Sequence, residues 1–193
     1  LEIVSAAAST GVHALKLQTY TADTMTLDVS EGEFFIEDEK SLWKGKSLYD
    51  LYKIAYTPWE WHEPIMKHVN ELGMICFSTP FDDTAVDYLE DLNVPAYKIA
   101  SFENTHLPLI KKVASTGKPM IISTGMVSLE ELDMVVNYLL RNKVTLSILY
   151  CVSKYPCPVE EFNLSTIRFL TKKYPGVRIG FSDHSIGSEV SLA

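Results

Sequence analysis

Cysteine is scarce in this 193-residue sequence, and several other features are missing altogether. Three cysteines form an odd set, which argues against a disulfide framework. Cys76 and Cys151 lie in the apolar runs MICFST and ILYCVS and read as small core residues. Cys157, between two prolines in a loop, is the one candidate for a reactive thiol. No apolar run approaches the ~18 residues that a membrane-spanning helix needs, and no signal-peptide pattern is visible. No Lys/Arg-rich tract occurs and the formal net charge is −8, which argues against a nucleic-acid or acidic-membrane partner. An anionic ligand must then be held by a few placed cations. With 47% hydrophobic residues, disorder is excluded for most of the chain, and the plain expectation is a reduced cytoplasmic protein. Methionine is absent from position 1, and the start at Leu1 falls inside a helix-like pattern, so a preceding stretch is expected to be missing.

Six short aliphatic or β-branched runs stand out: ALKLQTY from Ala14, MICFSTP from Met74, AYKIAS from Ala96, PMIIST from Pro119, LSILYCVS from Leu146 and RIGFSD from Arg178. Helical periodicity fills most of the gaps between them. Leu1 to Ser9 is followed by Gly11, a helix C-terminal signal. Thr57 and Pro58 read as the N-cap and first turn of a helix reaching Gly73. Asp82 to Leu92 places Val86, Leu89 and Leu92 on one face, and His106 to Ser115 ends at Gly117. Ser128 with Glu131 forms a capping box ahead of Leu132, Val135, Val136 and Leu139. Leu164 to Tyr174 completes the set. The acidic segment Thr21 to Lys46 is too long for an ordinary βα loop and reads as a functional insertion or a mobile lid.

Strand and helix alternate, and the strands lack polar/apolar alternation, so the fold class is α/β with parallel strands covered by helices. An open dinucleotide-binding sheet would carry a glycine-rich fingerprint at an early βα turn, and none is present. Each run instead ends in a polar residue: Gln18, Thr79, Ser101, Thr124, Ser153 and Asp183. Polar groups at the carboxyl ends of successive strands are what a (β/α)8 TIM barrel needs for its active site, although some of them only cap the following helix. Such a barrel takes about 250 residues. Six strands in 193 residues therefore read as an incomplete one, about strands 2 to 7.

Lys16 and Lys98 interrupt apolar strands, a costly placement unless an anion pairs with them or their pKa falls. They fit clamps for phosphate or carboxylate, a Schiff-base nucleophile, or lysines reaching out from strand ends. The turn Ser123 to Met126 (STGM), just before a helix start, suits an anion. His184, just past the last strand, fits a metal ligand, a base or a helix cap. No HxH or HxxxH pair accompanies it. His62 and His68 are six apart on one expected helix and read as surface residues, and His13 and His106 as structural ones. Glu103 is a candidate acid/base or hydroxyl ligand, or else a solvated loop carboxylate. Tyr155, Trp59 and Trp61 either line a pocket for a sugar or acetamido group or serve packing.

In their order, ALKLQTY, FSTPFD, PAYKIASFE, GKPMIISTGM, CVSKYP and IGFSDHSIG resemble the sialic acid synthase family, phosphoenolpyruvate-condensing enzymes that make nonulosonic acids. The segments run from about residue 14 to 187, and WKGKSLYDLY and TPWEWH look most like the branch that makes pseudaminic acid. Branches making N-acetylneuraminate, legionaminate or spore-coat polysaccharide share the core motifs. The resemblance implies a TIM barrel, a homodimer, a small C-terminal antifreeze-like domain beyond this chain, and a divalent metal, commonly Mn2+ with Mg2+ or Co2+ as alternatives. It implies phosphoenolpyruvate contacts at Lys16, Thr79, Lys98, Ser101, Ser123, Thr124 and Ser182. Gln18, Glu103 and Tyr155, with Phe81 of FSTPFD, match positions around the substrates, and His184 matches one metal-binding histidine. The roles implied for catalysis fall on Lys16, Lys98 and Glu103. Ser153 stands where the family has asparagine, which alters a sugar contact. The second metal histidine and an acidic residue on the first strand are expected outside this chain, so residues 1–193 alone are expected to show little activity. A Schiff-base aldolase and a non-catalytic module for acidic or phosphorylated sugars are the competing readings.

Overall fold

In the computed structural model, which describes residues 1–39 and 41–193, helices and parallel strands alternate along the chain. The chain divides into two units, Leu1–Val94 and Pro95–Ala193. The first holds α1 (Glu2–Ser9), β1 (Ala14–Thr19), α2 (Ala22–Met25), α3 (Leu48–Ala55), α4 (His62–Glu71), β2 (Ile75–Pro80) and α5 (Asp83–Asp91). The second holds β3 (Tyr97–Ile99), α6 (Leu107–Ser115), β4 (Met120–Ser123), α7 (Leu129–Arg141), β5 (Leu146–Cys151), α8 (Ser165–Lys173), β6 (Arg178–Ser182) and α9 (Glu189–Leu192). All six expected strands are present, and the expected α/β class holds.

In the first unit β1 pairs with β2 in parallel, with Lys16 opposite Phe77, Leu17 opposite Ser78 and Gln18 opposite Thr79. In the second, β3 pairs with β4, β4 with β5 and β5 with β6, again all parallel. Because strand side chains alternate between faces, this register sorts the second unit's residues. One face carries Tyr97, Ile99, Met120, Ile122, Leu146 and Ile148, all buried. The other carries Lys98, Ser123, Leu149, Cys151, Gly180 and Ser182. The chemistry therefore lies on one side of the sheet and the aliphatic core on the other.

Helix ends follow the cap signals closely. At the start of α7 the Ser128 hydroxyl accepts from the Glu131 N–H (3.2 Å), and the Glu131 carboxylate accepts from the Ser128 N–H (2.8 Å). The expected face of α7, Leu132, Val135, Val136 and Leu139, is buried. In α5 the Asp82 side chain caps the helix, and Val86 and Leu89 are fully buried. Leu92 departs from expectation: it sits at the C-cap, past the last helical turn, and is only half-buried.

Two further expectations need correction. The helix expected from Thr57 starts later: Pro58 has extended backbone, Trp59–Trp61 form a single tight turn, and α4 begins at His62. A separate helix, α3, precedes it, its N-cap Ser47 accepting from the Asp50 N–H. The segment Thr21 to Lys46, read as an insertion or lid, carries local structure among its described residues. It begins with α2, held by a Thr21/Thr24 capping box, and Phe35 bridges to Ser47. Lys40 of that segment lies outside the described residues. Finally, Cys157 is buried and its thiol donates to the Pro158 carbonyl (3.5 Å). Burial pushes this thiol's pKa up, which removes the basis for a reactive thiolate.

The burial contrast along α7 has a direct test. Leu139→Ala should cost about 2–5 kcal/mol of unfolding free energy, whereas Met134→Ala, at a position 54% exposed, should stay within about 0.5 kcal/mol. Denaturant titration of the two variants checks this, and equal losses would contradict the assigned face.

Candidate active site

Lys98 is the one charged residue of β3, and it is half-buried. Burial lowers its pKa, while the nearby Cys151 and Glu103 act to hold the proton on. Glu103 answers in the opposite sense: burial raises its pKa, and Lys98 opposes that rise. The turn Ser101–Glu103 that follows β3 positions both Ser101 and Glu103. Glu103 Oε2 is buried with no hydrogen-bond partner among the described residues, and so is the Ser123 hydroxyl. These are groups folded into place and still able to bind.

Cys151 lies among the polar strand ends. The Ser101 hydroxyl donates to its sulfur at 3.5 Å, and Ser153 Oγ and His184 Nδ1 lie 3.7 and 3.9 Å from it. Gly125, after β4, is where the strand ends come closest. A Cβ there would lie 2.1 Å from Ser153 Oγ and 2.9 Å from Ser101 Oγ, so only glycine fits. The STGM turn is held from two sides. The Thr124 N–H donates to Leu149 O (3.0 Å), and Thr124 Oγ1 accepts from the Cys151 N–H (3.3 Å). Met126 follows with a φ of 65°, a left-handed conformation unusual for a side chain of its size.

Past β6, Ser182 Oγ lies 3.4 Å from His184 Nε2. His184 Nδ1 lies 2.8 Å from the Val152 carbonyl. A carbonyl only accepts, so Nδ1 carries the proton and Nε2 keeps its lone pair, the arrangement of a metal-ligating histidine oriented by a backbone partner. The donor chemistry fits His184 as one ligand. Among the described residues, no group of three His, Cys, Asp or Glu comes together to complete a metal site. The Tyr155 ring lies 4.2 Å from the His184 ring, and Tyr155 itself is 66% exposed, open to a ligand.

The first unit carries the remaining expected residues. Gln18 and Thr79 are register partners and so share a face, with Lys16 and Phe77 one step earlier on the same face. The Thr79 hydroxyl is buried with no partner among the described residues. Lys16 is not the buried lysine that its apolar flanks suggest: it is exposed. Phe81 packs edge-on to Tyr20, their ring centres 5.5 Å apart. Trp59 serves packing, stacked on Tyr88 at 4.7 Å with its indole N–H donating to Tyr20 O (3.1 Å), and Trp61 is 57% exposed. His62 is fully buried and hydrogen-bonded, against the expectation of a surface residue.

Sequence reasoning missed Asn104. It is fully buried, and its amide N–H donates to the Ser123 carbonyl at 2.5 Å, tying the loop after β3 to the end of β4. Its Oδ1 has no partner among the described residues. An asparagine one residue past a strand-end acid was the available signal.

A half-buried lysine, a carboxyl raised by burial and a Ser123 hydroxyl with no partner among the described residues gather at the carboxyl ends of the second unit's parallel strands, the end that carries the active site in α/β barrels. Comparison with known proteins narrows this. Residues 3–193 match the NeuB family, and the chain belongs to that family. It is 42% identical over 188 residues to the pseudaminic acid synthase of Helicobacter pylori and 39% identical over 188 residues to that of Campylobacter jejuni. Each alignment covers 97% of this chain and 54% of the relative, so the chain spans about half the length of these relatives. Among solved structures, the N-acetylneuraminic acid synthetase of Leptospira borgpetersenii, crystallised with citrate, superposes with a TM-score of 0.87 at 28% identity. That match covers 99% of this chain and 61% of the other, and over the shared length the βα repeats are those of a TIM barrel.

Glu103 offers a test of the electrostatics. Its folded-state pKa is raised, so it favours folding while protonated and withdraws that contribution as pH rises through the folded value. Glu103→Gln stays neutral throughout. From about pH 4 to about pH 8 the difference in Tm between variant and wild type should therefore move in the variant's favour. Calorimetry at several pH values checks this, and a difference moving the other way would contradict the burial of this carboxyl.

Proposed function

We propose that the protein is a nonulosonic acid synthase. It condenses phosphoenolpyruvate with the aldehyde of an acylated amino sugar, 2,4-diacetamido-2,4,6-trideoxy-altrose, to give pseudaminic acid and phosphate. The observation that carries this reading is the face bearing Lys98, Ser123 and Ser182, with a buried Ser123 hydroxyl that has no partner among the described residues. Membership of the NeuB family and the identity to two pseudaminic acid synthases support it.

In this reading Lys98, Ser101, Ser123, Thr124 and Ser182 receive the carboxylate and phosphate of phosphoenolpyruvate, a positioning contribution. Lys16, Gln18, Thr79 and Phe81 of the first unit serve the same two substrates. The methylene carbon of phosphoenolpyruvate attacks the aldehyde carbon, and the aldehyde oxygen takes up a proton. Water then adds to the adjoining cationic carbon, and the tetrahedral intermediate loses phosphate by C–O cleavage. Glu103, with its raised pKa, holds and returns a proton beside the sugar, and Tyr155 packs on it. His184 Nε2 supplies one ligand to a divalent metal, Mn2+ in preference to Mg2+ or Co2+, which when bound polarises a carbonyl as a Lewis acid. Residues 1–193 are read as part of the condensing barrel domain of a cytoplasmic homodimer. No described helix is long and apolar enough to cross a membrane.

A second reading rests on Lys98 alone, because a lysine whose pKa is lowered by burial is what an imine-forming aldolase needs. One pair of experiments separates the two. Full-length protein with phosphoenolpyruvate, the diacetamido sugar and Mn2+ should release phosphate only when the sugar is present. Treatment with pyruvate and borohydride should leave no covalent adduct. Absence of sugar-dependent phosphate would sink the synthase reading, and an adduct on Lys98 would establish the aldolase.

A further inference from the structure

His62 has no part in the roles assigned above, yet it is among the most buried polar residues of the first unit, together with Thr19 and Ser78. Its Nε2 lies 2.8 Å from Thr19 Oγ1, which lies 2.7 Å from Ser78 Oγ, and its Nδ1 lies 3.3 Å from the Pro58 carbonyl. The ring also meets the backbone carbonyls of Trp59 and Gln18, so both of its nitrogens are engaged and the Gln18 backbone itself is part of the network. The ring is fixed further by Tyr88, edge-on at 5.6 Å, which is itself stacked on Trp59. Burial lowers the pKa of His62, so the ring is neutral at neutral pH and the network stays intact.

The register shows what this network holds. Thr19 follows Gln18 in β1, and Ser78 precedes Thr79 in β2. Leu17 pairs with Ser78 and Gln18 with Thr79, so Thr19 and Ser78 lie on the face of the strand pair opposite to Gln18 and Thr79. Fixing the hydroxyls on one face fixes the pleat, and with it the direction in which Gln18 and Thr79 leave the other. Packing alone would be met by an apolar side chain without desolvating three polar groups. The buried Thr79 hydroxyl, unpartnered among the described residues, is the group whose placement gains most from such control.

We propose that His62, acting through Thr19 and Ser78, is a positioning residue that sets the carboxyl ends of β1 and β2 for phosphoenolpyruvate. This rests on the synthase reading given above. The test uses full-length protein, calorimetric titration with phosphoenolpyruvate, steady-state kinetics and Tm. His62→Phe fills the space without the hydrogen bonds, and should weaken phosphoenolpyruvate binding and raise its KM by about tenfold, the effect of leaving a buried donor unsatisfied. Its kcat should fall much less. His62→Gln, whose amide can still hydrogen-bond to Thr19, should recover most of the affinity. Wild-type affinity in folded His62→Phe would overturn the proposal, as would equal damage in both variants with kcat and Tm falling together. If His62→Phe does not fold, Thr19→Val decides: the same weakening supports the role of the network, and unchanged affinity overturns it. Wild-type protein that binds phosphoenolpyruvate but releases no sugar-dependent phosphate would overturn the synthase reading and leave the binding comparison to judge His62. Wild-type protein that does not bind phosphoenolpyruvate overturns both.

Discussion

A lysine within a parallel sheet keeps its charge only if something within reach compensates for the lost water, and that requirement organises the second unit. Lys98 is drawn toward neutrality by burial and held charged by Glu103 and Cys151. Glu103 faces the mirror problem and leans on Lys98. Neither fully satisfies the other, since each retains the shift that burial imposes. A ligand bringing a carboxylate and a phosphate would supply the missing negative charge, and the hydroxyls of Ser101, Ser123 and Ser182 would supply the remaining donors. The aliphatic side of the same strands makes this geometry hard to escape. Ile99, Ile122 and Ile148 must face the core, so strict alternation sends Lys98, Ser123 and Cys151 to the opposite face.

Close approach is the second constraint. The loops after β3, β4 and β5 meet where Ser101, Gly125 and Ser153 leave no room for another Cβ. Asn104 then ties the first of these loops to the carbonyl of Ser123, with its own Oδ1 left for a donor. Serine at 153 belongs to the same packing problem. A larger side chain there would have to turn away from Gly125, so the small residue sets both the spacing of the strand ends and the room beside Tyr155.

Much of this was legible in the sequence, for identifiable reasons. The six strands declared themselves as aliphatic runs ending in polar residues, and α7 was announced by Ser128 and Glu131. Other parts depend on partners far away in the chain. Lys16 in LKLQ and Lys98 in YKIA have nearly the same local context, yet one is exposed and the other half-buried, a difference that nothing in the flanking residues announces. His62 sits in the polar string EWHEP, which hides that the first residue of α4 reaches the hydroxyl of Thr19, 43 positions away. Asn104 acts on a carbonyl 19 positions on. The short helices α2 and α3 carried cap signals at Thr21 and Ser47, but too few turns to show an apolar period.

On the proposed reading Lys98 and Glu103 serve a ligand and not the fold. Charged groups withdrawn from water, when replaced together by uncharged residues of similar shape, are usually lost at no cost to stability or with a gain. The direct measurement is the double variant Lys98→Met with Glu103→Gln, followed by denaturant unfolding and phosphoenolpyruvate titration. The expected result is an unfolding free energy equal to wild type or higher by about 1 kcal/mol, together with an affinity loss of at least about tenfold. A double variant that loses several kcal/mol of stability yet binds phosphoenolpyruvate as wild type does would contradict it.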